Sequence, residues 1–145
     1  IVEYDLSMDT SAQVFSGIFF RAGDKFATDG FYTYFNQGCW QSNVIWLRQQ
    51  DKDDDTKYTA NSSNANMSGS VLTVKVVIVS DATTIKYYVV EKSGNVVLAH
   101  TSAKEHTYTH VMFKVDDHSG YLKWDNIRVF DGADVATRLA ELGVN

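Results

Sequence analysis

Proline is absent from this chain, and cysteine occurs once, at Cys39. Without proline, turns fall to glycine, asparagine, aspartate and serine, and only nine glycines are present. A lone cysteine excludes an intrachain disulfide and any metal site built on paired thiolates. It also sets the chain apart from disulfide-rich animal extracellular modules. Basic residues are few, with 13 Lys and Arg against 18 Asp and Glu, a net charge of −5. Nucleic-acid binding needs a dense cationic surface to displace phosphate counterions, so we expect no such partner. No polybasic run would hold the chain at an anionic membrane. No apolar stretch approaches the ~18 residues of a membrane span; the longest, around Val74–Val79, is interrupted by Lys75. A repeat of 20–50 residues, a Ser-His-Asp elbow, a phosphate-cradling glycine loop and a dinucleotide fingerprint are all missing.

What is present is an ordinary globular composition, 44% apolar and 21% charged, sufficient for a core that needs no staple. The length suits one domain. The chain opens at Ile1 with no charged or apolar leader. We therefore expect a cleaved signal peptide or a module excised from a larger protein.

Alternation of period two dominates up to about residue 130. Val2, Tyr4 and Leu6 alternate with Glu3 and Asp5, and Phe15 to Arg21 forms a second, aromatic-rich run. Phe31, Thr33 and Phe35 alternate with Tyr32, Tyr34 and Asn36; Ile45, Leu47 and Gln49 alternate with Trp46, Arg48 and Gln50. Residues Asp51 to Gly69, rich in Asp, Asn and Ser, read as a long loop. Further strands are expected at Leu72–Ile78, Ile85–Val89, Val96–Ala99, Val111–Val115 and Tyr121–Phe130. About nine short strands separated by turn signals indicate an all-β fold, an antiparallel sandwich or barrel over residues 1–132. Residues 133–145 differ: Asp134 is a candidate cap for a short helix carrying Val135, Leu139 and Leu142, with Gly143 as the stop. This tail is expected to pack on the sandwich or to begin a linker.

Three stretches, in order, carry a resemblance. Ser16-Gly17-Ile18-Phe19-Phe20-Arg21-Ala22 is followed by Gly30-Phe31-Tyr32-Thr33-Tyr34-Phe35, and later by Gly120-Tyr121-Leu122-Lys123-Trp124-Asp125-Asn126-Ile127-Arg128-Val129-Phe130. Together they resemble the glycine-apolar-apolar-Phe-Arg strand, the aromatic strand and the closing strand, with its Asp-Asn-apolar-Arg-apolar signature, of the concanavalin A-like, laminin-G-like jelly rolls. The resemblance spans roughly residues 1–132 and implies a jelly-roll β-sandwich. Its members include lectins, carbohydrate-binding modules attached to glycoside hydrolases, and catalytic glucanases and lyases. It further implies an extracellular setting, secreted or at the cell surface. A structural calcium held by Asp9, Asp24 or Asp125 with backbone carbonyls occurs in relatives and stays open here; no other cofactor is required.

Sugar recognition uses flat apolar faces against pyranose C–H surfaces, flanked by planar hydrogen-bonding groups. If Phe31, Phe35, Ile45 and Leu47 face inward, the opposite face shows Tyr32, Tyr34, Asn36, Trp46, Arg48 and Gln50, an aromatic patch that asks for a ligand. Arg21 belongs on the same side of its strand as Phe15, Gly17 and Phe19, and the mid-strand Gly17 permits close approach. Trp124, Asn126 and Arg128 alternate against Ile127 and Val129 and are candidates for the same surface. Trp40, in the turn Gly38 to Ser42, is a candidate stacker at a loop tip, although it equally suits plugging the sandwich end. The bland alternative for every aromatic is packing against a second layer, and Trp124 suits that best. The ligand-binding set is therefore Arg21, Tyr32, Tyr34, Trp40, Trp46, Arg48, Gln50, Trp124 and Asn126.

Asp51, Asp53 and Asp55 match the first three positions of a helix-loop-helix calcium site, but Thr56 replaces its glycine and Ser62 its bidentate Glu. A solvated acidic loop explains them better. His100, His106, His110 and His118 show no metal-like pairing and read as residues of exposed turns. A glucanase needs two carboxylates spaced across a cleft. Glu3 and Asp5 come closest, and an ordinary solvent face accounts for them. A lyase would combine Tyr34, Arg48, Gln50 and His110 around a uronate, but nothing in the spacing enforces this. The expectation is a non-catalytic carbohydrate-binding module with polysaccharide as partner, tethered to a catalytic domain in a larger extracellular protein. A laminin-G-like protein-interaction scaffold is the alternative, and a polysaccharide lyase or glycoside hydrolase the second.

Overall fold

The structure, a computed structural model, describes the backbone of residues 1–9, 14–21, 30–37, 44–49, 55–103, 110–115 and 122–144, and the side chains of 1–9, 58–101, 103, 113 and 122–144. In chain order run β1 (Val2–Asp9), β2 (Val14–Arg21), β3 (Gly30–Gln37), β4 (Val44–Gln49), β5 (Asp55–Thr59), β6 (Asn66–Ser68), β7 (Val71–Ser80), β8 (Thr84–Val90), β9 (Val96–Ala103), β10 (His110–Val115) and β11 (Leu122–Val129), then α1 (Ala133–Leu142). The protein is therefore mainly antiparallel β-sheet with one short C-terminal helix.

The strands form two sheets. One has six strands in the order β11-β1-β7-β8-β9, with β6 beside β7; the other has five in the order β10-β2-β3-β4-β5. In the six-stranded sheet, Tyr4 pairs with Val76 and Val76 with Val89, while Leu6 pairs with Val74 and Met8 with Leu72. These residues share one face, and Tyr4, Leu6, Met8, Leu72, Ile85 and Tyr87 are fully buried. Removing Leu6, Met8, Leu72 and Ile85 from water stabilises the fold by about 1.5–3 kcal/mol each. The other sheet reaches this core at both margins. Tyr58 of β5 packs on the cluster, and Phe113 of β10 meets Trp124 of β11 edge-to-face at 5.4 Å between ring centroids.

The opposite face of the six-stranded sheet is not a plain solvent face. Glu3, Val77 and Tyr88 are neighbours on it and all are buried. Arg138 of α1 reaches Glu3, with Nε and Nη2 each 2.8 Å from Oε2. This corrects the sequence reading of Glu3 as solvent-facing: its carboxylate is 0% exposed because the helix carries a guanidinium to it. Strand alternation reports which side a residue is on, not whether a later element covers that side. Arg138 also pairs with Glu141 at 2.7 Å and lies 5.6 Å above the Phe130 ring centroid.

Other expectations need adjustment. The stretch expected as one loop from Asp51 to Gly69 contains β5 and β6. An edge strand pairs on one side only and keeps a polar sequence, so its alternation is faint. The described strands number eleven where about nine were expected, and β9 continues past Ala99 to Ala103. The helix stop is as expected: Gly143 is left-handed at φ 68°, with Gly143 N–H bonded to Ala140 O and Val144 N–H to Leu139 O, a Schellman-type closure. Its start differs, because Gly132 takes the cap position and Asp134 lies in the first turn, where its charge suits the helix dipole. The tail is thus docked on the sheet.

Candidate functional site

The register of the five-stranded sheet decides which candidate residues share a face. Across it, Gly17 pairs with Tyr34, Tyr34 with Trp46, and Trp46 with Lys57. One step along, Phe19 pairs with Tyr32, Tyr32 with Arg48, and Arg48 with Asp55. Arg21 pairs with Gly30 and with His110. Directly paired residues of an antiparallel ladder occupy one face. Arg21, Tyr32, Tyr34, Trp46 and Arg48 therefore lie on one face.

Two described contacts fix which face this is. Phe113, which meets Trp124, registers with Ile18, Thr33 and Leu47, while Tyr58, which packs on the core, registers with Ile45 and Phe35. That set shares one face of the five-stranded sheet with Phe113 and Tyr58. The Tyr32, Tyr34, Trp46, Arg48 and Arg21 positions belong to its opposite face. The helix is engaged elsewhere, on the outer face of the other sheet through Arg138 and Glu3. Trp40 and Gln50 lie outside the described residues, as do Asp24, Asp51, Asp53, His106 and His118.

Trp124 and Asn126 do not join that face, which corrects the sequence reading. Both are on β11, in the other sheet. The pairing of β1 with β11 passes from Glu3–Arg128 to Asp5–Asp125, so Tyr4 stands opposite two residues, Asn126 and Ile127. Asn126 has φ 50°. This β-bulge inserts one residue and swaps the faces on its two sides. Trp124, paired with Leu6, consequently packs against the buried cluster, on the same side as Val129 and not opposite it. Arg128 pairs with Glu3, and its Nη1 is 3.9 Å from Glu3 Oε1.

Asn126 holds the bulge. Its Nδ2 donates to Asp5 Oδ2 at 2.6 Å and its N–H donates to Asp125 Oδ1 at 3.0 Å. Asn is among the few residues that accept a left-handed backbone at low cost. Asp5 also pairs with Lys75 at 3.0 Å. Lys123 binds Asp125 at 2.5 Å and, ahead of the Asn126 amide, holds its carboxyl below the usual range. Among the described residues, no three His, Cys, Asp or Glu side chains gather into a metal-binding group. His100 is not in an exposed turn as expected but is buried on β9, with its ring centroid 6.4 Å from that of Tyr87.

Sequence reasoning missed a second polar locus. On the outer face of the six-stranded sheet, a depression of about 270 Å³ is bordered by Asp5, Asn66, Thr73, Lys75, Glu91 and Lys92. Tyr58 Oη donates to Glu91 Oε1 at 3.2 Å. Burial, then the Glu91 charge, pushes the Tyr58 hydroxyl up to about 12. Nothing in the sequence linked Asp5 to Glu91; the pairing of β1 with β7 and β7 with β8 does so. No family model, curated protein or solved structure matches this chain.

Proposed function

We propose that the two sheets stack as a jelly-roll β-sandwich and that the domain is a non-catalytic carbohydrate-binding module. Support for the sandwich comes from the way the margins meet, β10 with β11 and β5 with β9, and from a chain that crosses between the sheets after β1, β5, β9 and β10. The observation that carries the functional reading is register. It brings Tyr34 beside Trp46 and Tyr32 beside Arg48, with Arg21 nearby, on the face opposite that of Phe113 and Tyr58. Aromatic positions provide stacking surface for pyranose rings, and the arginines orient hydroxyls or a carboxylate. Docking of α1 on the opposite sheet favours this over a scaffold whose aromatic face the tail would cover.

A binder rather than an enzyme is favoured by what occupies Glu3 and Asp5, the closest approach to a carboxylate pair in the sequence. Glu3 is committed to Arg138, and Asp5 to Lys75 and Asn126. The partner is polysaccharide, met outside the cell, with the module tethered to a catalytic domain. Affinity electrophoresis through gels containing glucans, xyloglucan, mannans, pectins or fructans, with and without EDTA, tests this. The expected result is retardation by one class that is lost in Trp46→Ala and kept in a surface control. Free migration in every gel would refute sugar binding and leave a protein-binding scaffold.

A further inference from the structure

The depression lies on the six-stranded sheet, and the aromatic face on the five-stranded one. Its floor is the outer face of β7, with Thr73 and Lys75, flanked by Asp5 of β1 and Val90 of β8. Asn66 of β6, paired with Thr73, closes one side, and the β8–β9 turn supplies Glu91, Lys92 and Gly94. The turn is anchored there: Lys92 N–H bonds to Asn64 O at 2.9 Å, and Gly94 N–H bonds back to Glu91 O at 2.8 Å.

The chemistry of the lining restricts the ligand. Two carboxylates and two ammonium groups balance, so the site has no net preference for an ion. Glu91 takes its hydrogen bonds from neutral donors, Tyr58 Oη and Asn95 Nδ2, the latter at 3.4 Å. Asp5 pairs with Lys75 at 3.0 Å and the Thr73 hydroxyl bonds to Ser7 Oγ at 2.8 Å, so a ligand here would share these groups, alongside the Asn66 amide, Glu91 and Lys92. A ligand that alternates donor and acceptor at every position satisfies such a lining, and a polyhydroxylated ring does so. Among the described residues no aromatic borders the depression, so its binding would rest on hydrogen bonds. Its volume falls below the range typical of drug-sized pockets and suits a single ring.

We infer that this depression is a second saccharide site, taking one neutral sugar residue by hydrogen bonding alone. It is distinct from the aromatic face and does not rest on it.

The test is an ¹⁵N–¹H NMR titration of the domain with methyl glucopyranosides, galactopyranosides and mannopyranosides, and separately with sodium acetate and glycine. A glycoside should shift the amides of Asn66, Thr73, Lys75, Lys92 and Gly94 in a saturable manner. Lys92→Ala, at an exposed position, and Glu91→Gln, at a half-buried one, should each weaken that response about tenfold, as loss of one charge-assisted hydrogen bond predicts. Trp46→Ala should leave it unchanged, which separates this site from the aromatic one. Shifts confined to residues 31–48, no shift with any glycoside, or a response to acetate or glycine alone would each overturn the proposal.

Discussion

Replacing Arg138 with methionine keeps the length and apolar stem of the side chain and removes the cation over Glu3. In the native protein the guanidinium places two nitrogens 2.8 Å from Glu3 Oε2, with Glu3 0% and Arg138 17% exposed. Without it the nearest cation among the described residues is Arg128, whose Nη1 stands 3.9 Å from Oε1 on a side chain 60% exposed. Breaking a buried pair by deleting one partner costs about 3–5 kcal/mol, because a desolvated charge is left behind. A domain of this size is stable by about 5–15 kcal/mol, so Arg138→Met should lower the urea midpoint markedly. The double variant Glu3→Met, Arg138→Met removes both charges and should recover most of the loss, since well-packed apolar replacements of buried pairs are near neutral. Glu141→Ala, at the exposed end of the same network, should cost no more than about 0.5 kcal/mol. Urea unfolding followed by tryptophan fluorescence, with hydrogen exchange of the α1 amides, reads all four proteins. If the single and double variants lost equal stability, or Arg138→Met lost almost none, the argument from charge burial would be wrong.

Three further outcomes are expected. Asn126→Gly should be tolerated, whereas Asn126→Val should cost about 1–2 kcal/mol from its left-handed backbone alone, and neither should alter migration in a polysaccharide gel; thermal unfolding and affinity electrophoresis check both halves. Asp81 accepts from Thr83 N–H at 2.7 Å and Thr84 N–H at 2.6 Å, and these bonds, led by the first, hold its carboxyl well below the usual range. A depressed folded value gives stability that is present above the ordinary carboxylate pKa of 3.8 and is lost as pH falls from there through the folded value. An NMR titration should accordingly show Asp81 still ionised at pH 3, and Asp81→Ala should flatten the decline of stability below pH 4. Trp124→Ala, emptying a half-buried position packed on the core cluster, should cost about 2–4 kcal/mol and leave retardation by glycan intact, while Trp46→Ala should do the reverse; denaturation and electrophoresis of the two variants decide.

Most strands were legible because each buries one face, and period-two alternation records that burial directly. Val71–Ser80 and Thr84–Val90 show it plainly, with the even positions of the first carried into the core by Tyr4, Leu6 and Met8. The pairing of Tyr32 with Arg48 and Tyr34 with Trp46 was implicit in the same alternation, provided that β3 and β4 are antiparallel neighbours, as they are. The failures share a different cause. Glu3 looks like any outward acid until Arg138, 135 positions later, arrives above it. Trp124 and Asn126 do not join the aromatic face because β11 belongs to the other sheet, and Trp124 takes the opposite face of β11 from that expected because one bulge residue at Asn126 reverses the alternation. The sequence holds a cue to that bulge, since Asp-Asn inside a strand is a pair with local hydrogen-bonding habits and a tolerance for positive φ. Asp125 and Asn126 thus spell an interruption in a strand otherwise set by Leu122, Trp124, Ile127 and Val129. An Asx pair within an alternating run is therefore evidence about register before it is evidence about a ligand, and the faces on either side of it should be assigned separately.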